Sequence, residues 1–265
     1  MLRISRLRSV IVVSLVAASA ALPITASATH SWGGYHWART SNPFMLKLGD
    51  NLSGVWDTPF ILATTSWDWS QSTVLDTTIV PGSANPKNCR AIAGRVEICN
   101  SKYGSTGWLG VAQVWVSGTH ITQGTVKVND TYFNTANYNT TAWRNLVMCQ
   151  EVGHTLGLDH QDSTFDNPNL GTCMDYTNDP STNQHPNQHD YDQLATIYTH
   201  GDASTTVGQT AFSGMMPPGL SENDFSIPAQ WGTKIRVTNR GWTELYELDL
   251  GHGHKVFTFV IRAKE

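Results

Sequence analysis

The groups that could do chemistry concentrate in one run, Cys149-Gln150-Glu151-Val152-Gly153-His154-Thr155-Leu156-Gly157-Leu158-Asp159-His160. A helix carrying H-E-x-x-H sets two imidazoles one turn apart on one face, within reach of a single Zn2+. The Glu of that pattern polarises the water that the metal activates. Here Glu151 and His154 hold their places, and Gln150 stands where the first His would be. Gly157 can end the helix in a left-handed conformation, which lets His160 swing back toward the metal. The candidate zinc ligands are therefore His154, His160 and Gln150, with Glu151 as the general base. Gln150 is the departure: its carbonyl oxygen is a neutral donor, whereas zinc favours imidazole or carboxylate.

The stretch Gln150 to His160, followed by Thr172-Cys173-Met174-Asp175-Tyr176, resembles the signature of the metzincin metalloproteases, H-E-x-x-H-x-x-G-x-x-H and a methionine turn. Among them the secreted matrixin-like enzymes are the most similar, although the Met-x-Tyr ending is similar to that of astacins and serralysins. The resemblance implies that Met174 is the structural methionine of the turn and that Tyr176 is an additional metal ligand. It covers about Gln150 to Tyr176; the rest of the chain matches loosely. Gln150 with Tyr176 is the leading completion of the ligand set, and Asp159, Asp162, His185 and His189 are alternatives resting on residue type alone.

Four cysteines, Cys89, Cys99, Cys149 and Cys173, behind a secretory leader read as disulfides. Three pairings are possible. We favour Cys89–Cys99, closing a short hairpin-like loop through Ala93-Gly94-Arg95, which leaves Cys149–Cys173 to join the zinc helix to the methionine turn.

The elements that must position these groups are legible in outline. Thr140 or Thr141 is a good N-cap for the active-site helix, on which Trp143, Val147, Gln150 and His154 share a face. A second helix is expected from about Asp190 to Tyr198, with Leu194, Ile197 and Tyr198 as its apolar stripe. Leu109–Val116 and Ile121–Val128 alternate as half-buried strands do. A first strand is expected in the aromatic run from His30 to Trp37, and a short helix between Trp56 and Leu75. By resemblance, the alternating strands line a substrate cleft, and a peptide adds to an exposed edge. Lys234–Thr238 and Val256–Arg262 read as strands after a linker rich in Ser, Thr, Gly and Pro. His30, His36, His120 and His200 receive no functional assignment.

The N-terminus carries Arg3, Arg6 and Arg8, an apolar run from Val10 to Leu22 and then Ala26-Ser27-Ala28, the order of a secretory signal peptide. The charged fraction is 14% and the formal net charge −4, with no basic run that would suit nucleic acid. The expected organisation is a signal peptide (1–28), a metalloprotease-like catalytic domain (29–200), a linker (201–228) and a small β segment (229–265) docked on the main domain. The fold class is α+β: a metzincin-like domain with a twisted, mostly parallel sheet, an edge strand, the active-site helix and a C-terminal helix. The expected function is that of a secreted, monomeric, zinc-dependent endopeptidase acting on protein or peptide substrates, without nucleic acid or membrane partners. The alternative is a catalytically inactive, protease-like secreted module that binds peptides, and it is motivated by Gln150.

Overall fold

The computed structural model describes residues 30–162, 164–165, 167–210, 227–238 and 241–263. The expected signal peptide and most of the expected linker lie outside them. Strands β1 (His36–Trp37), β2 (Phe44–Asn51), β3 (Leu75–Pro81), β4 (Val96–Ser101), β5 (Trp108–Ser117), β6 (His120–Asn129), β7 (Thr233–Thr238), β8 (Thr243–Gly251) and β9 (His254–Arg262) form one sheet. Its order is β3-β2-β4-β6-β5-β9-β8-β7, with β1 pairing off this path on β6. Pairing is parallel from β3 to β6 and antiparallel from there to β7. The helices are α1 (Asp57–Ser66), α2 (Trp69–Ser72), α3 (Asp130–Phe133), α4 (Thr141–Thr155) and α5 (Gln188–Ile197). The expected mixed architecture of strands with few helices is present.

Local signals explain both long site helices. Thr140 adopts an extended conformation and its hydroxyl accepts from the Trp143 amide, so the expected N-cap starts α4. Asn187 and Asp190 form a reciprocal capping box at the start of α5, which begins two residues earlier than the expected start at Asp190. Helix α4 is buried at every position from Arg144 to Thr155, because it runs between the sheet and α1.

The sheet departs from expectation at its centre. Strand β5, part of the expected substrate cleft, has no free edge: β6 pairs along one side and β9 along the other. Strand β9 shows why. Phe257, Phe259 and Ile261 point into the main core with α4, while Val256 and Val260 join Trp108, Val111, Trp115 and Trp231 on the opposite face. A period-2 strand that is apolar on both faces gains most by sitting inside a sheet. The C-terminal segment, expected as a piece docked on the main domain, thus extends the same sheet. Strand β8, absent from the sequence reading, completes a hairpin with β9 across His252-Gly253.

Both expected disulfides are present, Cys89–Cys99 and Cys149–Cys173. The first does not close a hairpin. Cys99 lies in β4, which is parallel to both its neighbours, and Cys89 lies in the loop before it. Among the described residues, no helix is long and apolar enough to cross a membrane.

Candidate active site

Tryptophans tie down the C-terminal half of α4. The Trp67, Trp32 and Trp37 indole N–H groups donate to the carbonyls of Cys149, His154 and Thr155 at 3.0, 3.0 and 2.9 Å. The Tyr198 hydroxyl donates to the Leu156 carbonyl at 2.9 Å. The last carbonyls of a buried helix need such donors, each worth about 1 kcal/mol net. Gly157 then turns the chain at φ +101°, and a Cβ there would sit 2.5 Å from the Tyr35 carbonyl oxygen. Only glycine meets both demands, and the turn brings His160 back over the helix.

The rings of His154 and His160 meet edge to face, with centroids 4.7 Å apart. His154 Nδ1 donates to the Leu158 carbonyl at 2.9 Å, which fixes the tautomer and leaves Nε2 as the lone-pair nitrogen. His160 Nε2 is buried without a hydrogen-bond partner, while its Nδ1 has only a long contact, 3.5 Å, to Asp159 Oδ1. Burial lowers the pKa of both imidazoles, since the apolar surroundings penalise the charged form. Both Glu151 carboxylate oxygens are buried without a full hydrogen bond. Burial raises this carboxyl well above its ordinary range, and the nearby Ala112 backbone offsets only part of the rise.

Met174 lies beneath the helix, where a Cβ on Gly153 would come within 2.5 Å of its Sδ. The Met174 amide donates to Thr172 Oγ1 and its carbonyl accepts from the Gln161 amide, so the turn is held at both ends. Tyr176 stacks on His160 with centroids 3.9 Å apart. Burial raises its phenol, and the hydroxyls of Thr238 and Thr243 pull it back. Gln150 donates from Nε2 to the Asp175 carbonyl at 3.3 Å, which turns its Oε1 away from that carbonyl. It lines an apolar cavity with Leu109, Trp143, Tyr176 and Trp242.

The fold therefore brings His154, His160 and Tyr176 together, with Met174 packed under the same helix at Gly153 and the Glu151 carboxylate one turn earlier against Gly110 and Ala112 of β5. Of the alternative ligands only Asp159 comes close, with Oδ1 3.5 Å from His160 Nδ1, and it is engaged elsewhere. Asp159 forms a two-pronged ion pair with Arg236 of β7 at 2.5 and 2.7 Å. Asp162 bonds Asn167 and the Thr164 amide, His185 faces Ser66, and His189 stacks on His30. Among the described residues, His154 and His160 gain no third His, Cys, Asp or Glu. Their open side is covered by the C-terminal strands. The Phe259 ring lies parallel to His154 at 4.2 Å, and Arg236, Thr238 and Leu245 surround the small space beside His160.

One cluster escaped the sequence reading. His36, His120 and His200 converge on Asp202 at the other end of α5. The only local signal was the short spacing His200-Gly201-Asp202; the remaining members come from strands far away in sequence.

No protein-family model and no curated protein matches the chain. Among solved structures it is similar to the crystal structure of myroilysin, with a TM-score of 0.32 and 13% identity over 62% of this chain and 86% of that one. A likeness that weak says nothing about chemistry, and the site is read from its own residues.

Proposed function

We propose that the chain is a secreted zinc-dependent endopeptidase whose catalytic groove is filled by its own C-terminal strands. The observation that carries this reading is the uncompensated polar trio in the core. His154 presents a lone-pair nitrogen, His160 has an unpartnered Nε2 and only a long Nδ1 contact to Asp159, and Glu151 is a buried carboxylate without a full hydrogen bond. Such groups are costly unless something binds them. The donor set suits zinc at two positions, His154 and His160, and departs from it at Gln150, whose Oε1 or the Tyr176 phenol would be the third donor. Zinc supplies Lewis acidity toward a carbonyl and acidifies a water. The rest falls to the protein's own groups. The Leu158 carbonyl keeps His154 in the ligating tautomer. The raised pKa of Glu151 suits a base that takes a proton from water and returns it to the leaving amine. The two disulfides fit an oxidising, extracytoplasmic compartment.

Strand β9 runs antiparallel along β5, the strand beside the site helix, in the manner of an added peptide strand. Phe259 occupies the face of His154. In this conformation the groove is closed, and peptidase activity requires displacement or removal of the C-terminal segment. The same contacts, with Gln150, favour the second reading of a non-catalytic protease-like module. Metal analysis of the purified protein separates the two when paired with peptide hydrolysis before and after limited proteolysis. The peptidase reading expects stoichiometric zinc and chelator-sensitive cleavage that is lost in Glu151→Ala. A folded protein that takes up no zinc at His154 and His160 even on reconstitution, and never cleaves, would falsify it.

A further inference from the structure

We propose that His36, His200 and Asp202 form a second divalent transition-metal site, separate from helix α4, with zinc as the ion its donors suit and His120 or a water as fourth ligand. The donor atoms already form a face of the right size. His36 Nε2 lies 3.2 Å from His200 Nε2 and 3.4 Å from Asp202 Oδ1, and His200 Nε2 lies 3.6 Å from the same oxygen. Tetrahedral zinc with bonds of about 2.0–2.1 Å requires ligand atoms about 3.3–3.4 Å apart. His120 Nε2 approaches Asp202 Oδ1 to 3.2 Å from outside that triangle.

With every ring neutral, hydrogen bonding alone leaves this arrangement unsatisfied. His36 Nδ1 is 2.9 Å from the Gly34 carbonyl and must donate to it, so Nε2 of the neutral ring carries a lone pair. That lone pair faces a carboxylate oxygen and a second imidazole nitrogen. His200 can donate its Nε2 proton to His36 or to Asp202 but not to both, so at least one close pair of lone pairs persists. A proton donated from one ring to Asp202 or a metal ion at the centre of the triangle removes the conflict, and the near-tetrahedral spacing of the three donors points to the metal.

The surroundings also hold the donors in position. Arg39 binds the other carboxylate oxygen through its backbone N–H at 3.1 Å and its Nη1 at 2.8 Å, which turns Oδ1 to the histidines. His36 and His120 are direct partners in the β1–β6 pairing, so the sheet sets their spacing. An ordered carboxylate and a backbone-oriented imidazole are what metal ligands require. Imidazole donors in this number exclude Ca2+ and Mg2+, which take oxygen ligands. The site would tie the segment after α5 to the first strand. Tyr198 lies between this cluster and the end of α4, accepting from the Trp37 amide and donating to the Leu156 carbonyl.

The site is tested with Zn2+ alone on the full chain carrying His154→Ala and His160→Ala, which removes the helix α4 donors. Calorimetric titration and elemental analysis of that protein should give one bound zinc per chain. Adding His200→Ala should weaken binding by at least about 100-fold. The His200 side chain is 55% exposed, so this change spares the fold. Co2+ should give the intense visible bands of tetrahedral coordination before the His200→Ala change and lose them after it. A folded His154→Ala/His160→Ala protein that binds no zinc would overturn the proposal. So would binding that is indifferent to both His200→Ala and Asp202→Asn.

Discussion

Replacing Glu151 with Gln should stabilise the metal-free protein while abolishing any peptidase activity. The wild-type carboxylate is fully buried and neither oxygen has a full hydrogen bond. A buried unpaired polar group costs about 1–3 kcal/mol, with charged groups at the upper end. The amide is isosteric and avoids ionisation, so Glu151→Gln should recover an amount of that order. For a domain of this size that is a rise in Tm of about 2–12 °C. The pH dependence gives the cause away. The folded pKa of Glu151 is raised, so the stabilisation from its proton is complete below the unfolded value of 4.5 and is lost as pH climbs through the folded value. The gap between variant and wild type should therefore be small near pH 5 and wide at pH 8. His154 and His160 shift the other way and destabilise the fold on acidification, but they are common to both proteins and cancel in the difference. Calorimetry in chelator at the two pH values measures the gap, and adding Zn2+ should narrow it by compensating the wild-type charge. An equal gap at both pH values, or a variant less stable than wild type at pH 8, would refute the view of Glu151 as a strained, functional carboxylate.

Three further outcomes are expected. Gln150→His should raise zinc affinity at the α4 site by about tenfold or more, read by competition titration, since an imidazole replaces a neutral amide. Arg236→Ala should destabilise by about 1–3 kcal/mol in urea unfolding, a value reduced because the Arg side chain is 38% exposed. His160 and Arg236 outweigh the burial of Asp159 and hold its carboxyl below the ordinary range, so this pair stabilises above about pH 4 and the deficit of the variant should narrow in stronger acid. Gly157→Ala, at φ +101° and 2.5 Å from the Tyr35 carbonyl, should cost more than about 1 kcal/mol. It should also weaken zinc binding by displacing His160, as measured by thermal unfolding and titration on the same sample.

What the chain states locally, it states well. The Thr140 cap, the helix through Gln150 and His154, the break at Gly157 and the return to His160 all follow from side chains acting within one or two turns. The pairing Cys149–Cys173 is the one left once the near neighbours Cys89 and Cys99 are joined. The alternation of residues 256–262 announces a strand but not its neighbour. That β9 would lie on β5 and set Phe259 on His154 is a choice among sheet edges, decided by which apolar faces fit together across more than a hundred residues. For the same reason Asp159 could not be read as the partner of Arg236, nor Gln150 as a donor to the Asp175 carbonyl. His36, His120 and His200 carry no pattern that marks them as companions; only the β1–β6 register and the turn after α5 bring their nitrogens to one carboxylate. Short-range hydrogen bonds and backbone preferences are written in neighbouring residues, whereas the filling of the groove and the second histidine cluster arise only once distant surfaces have packed.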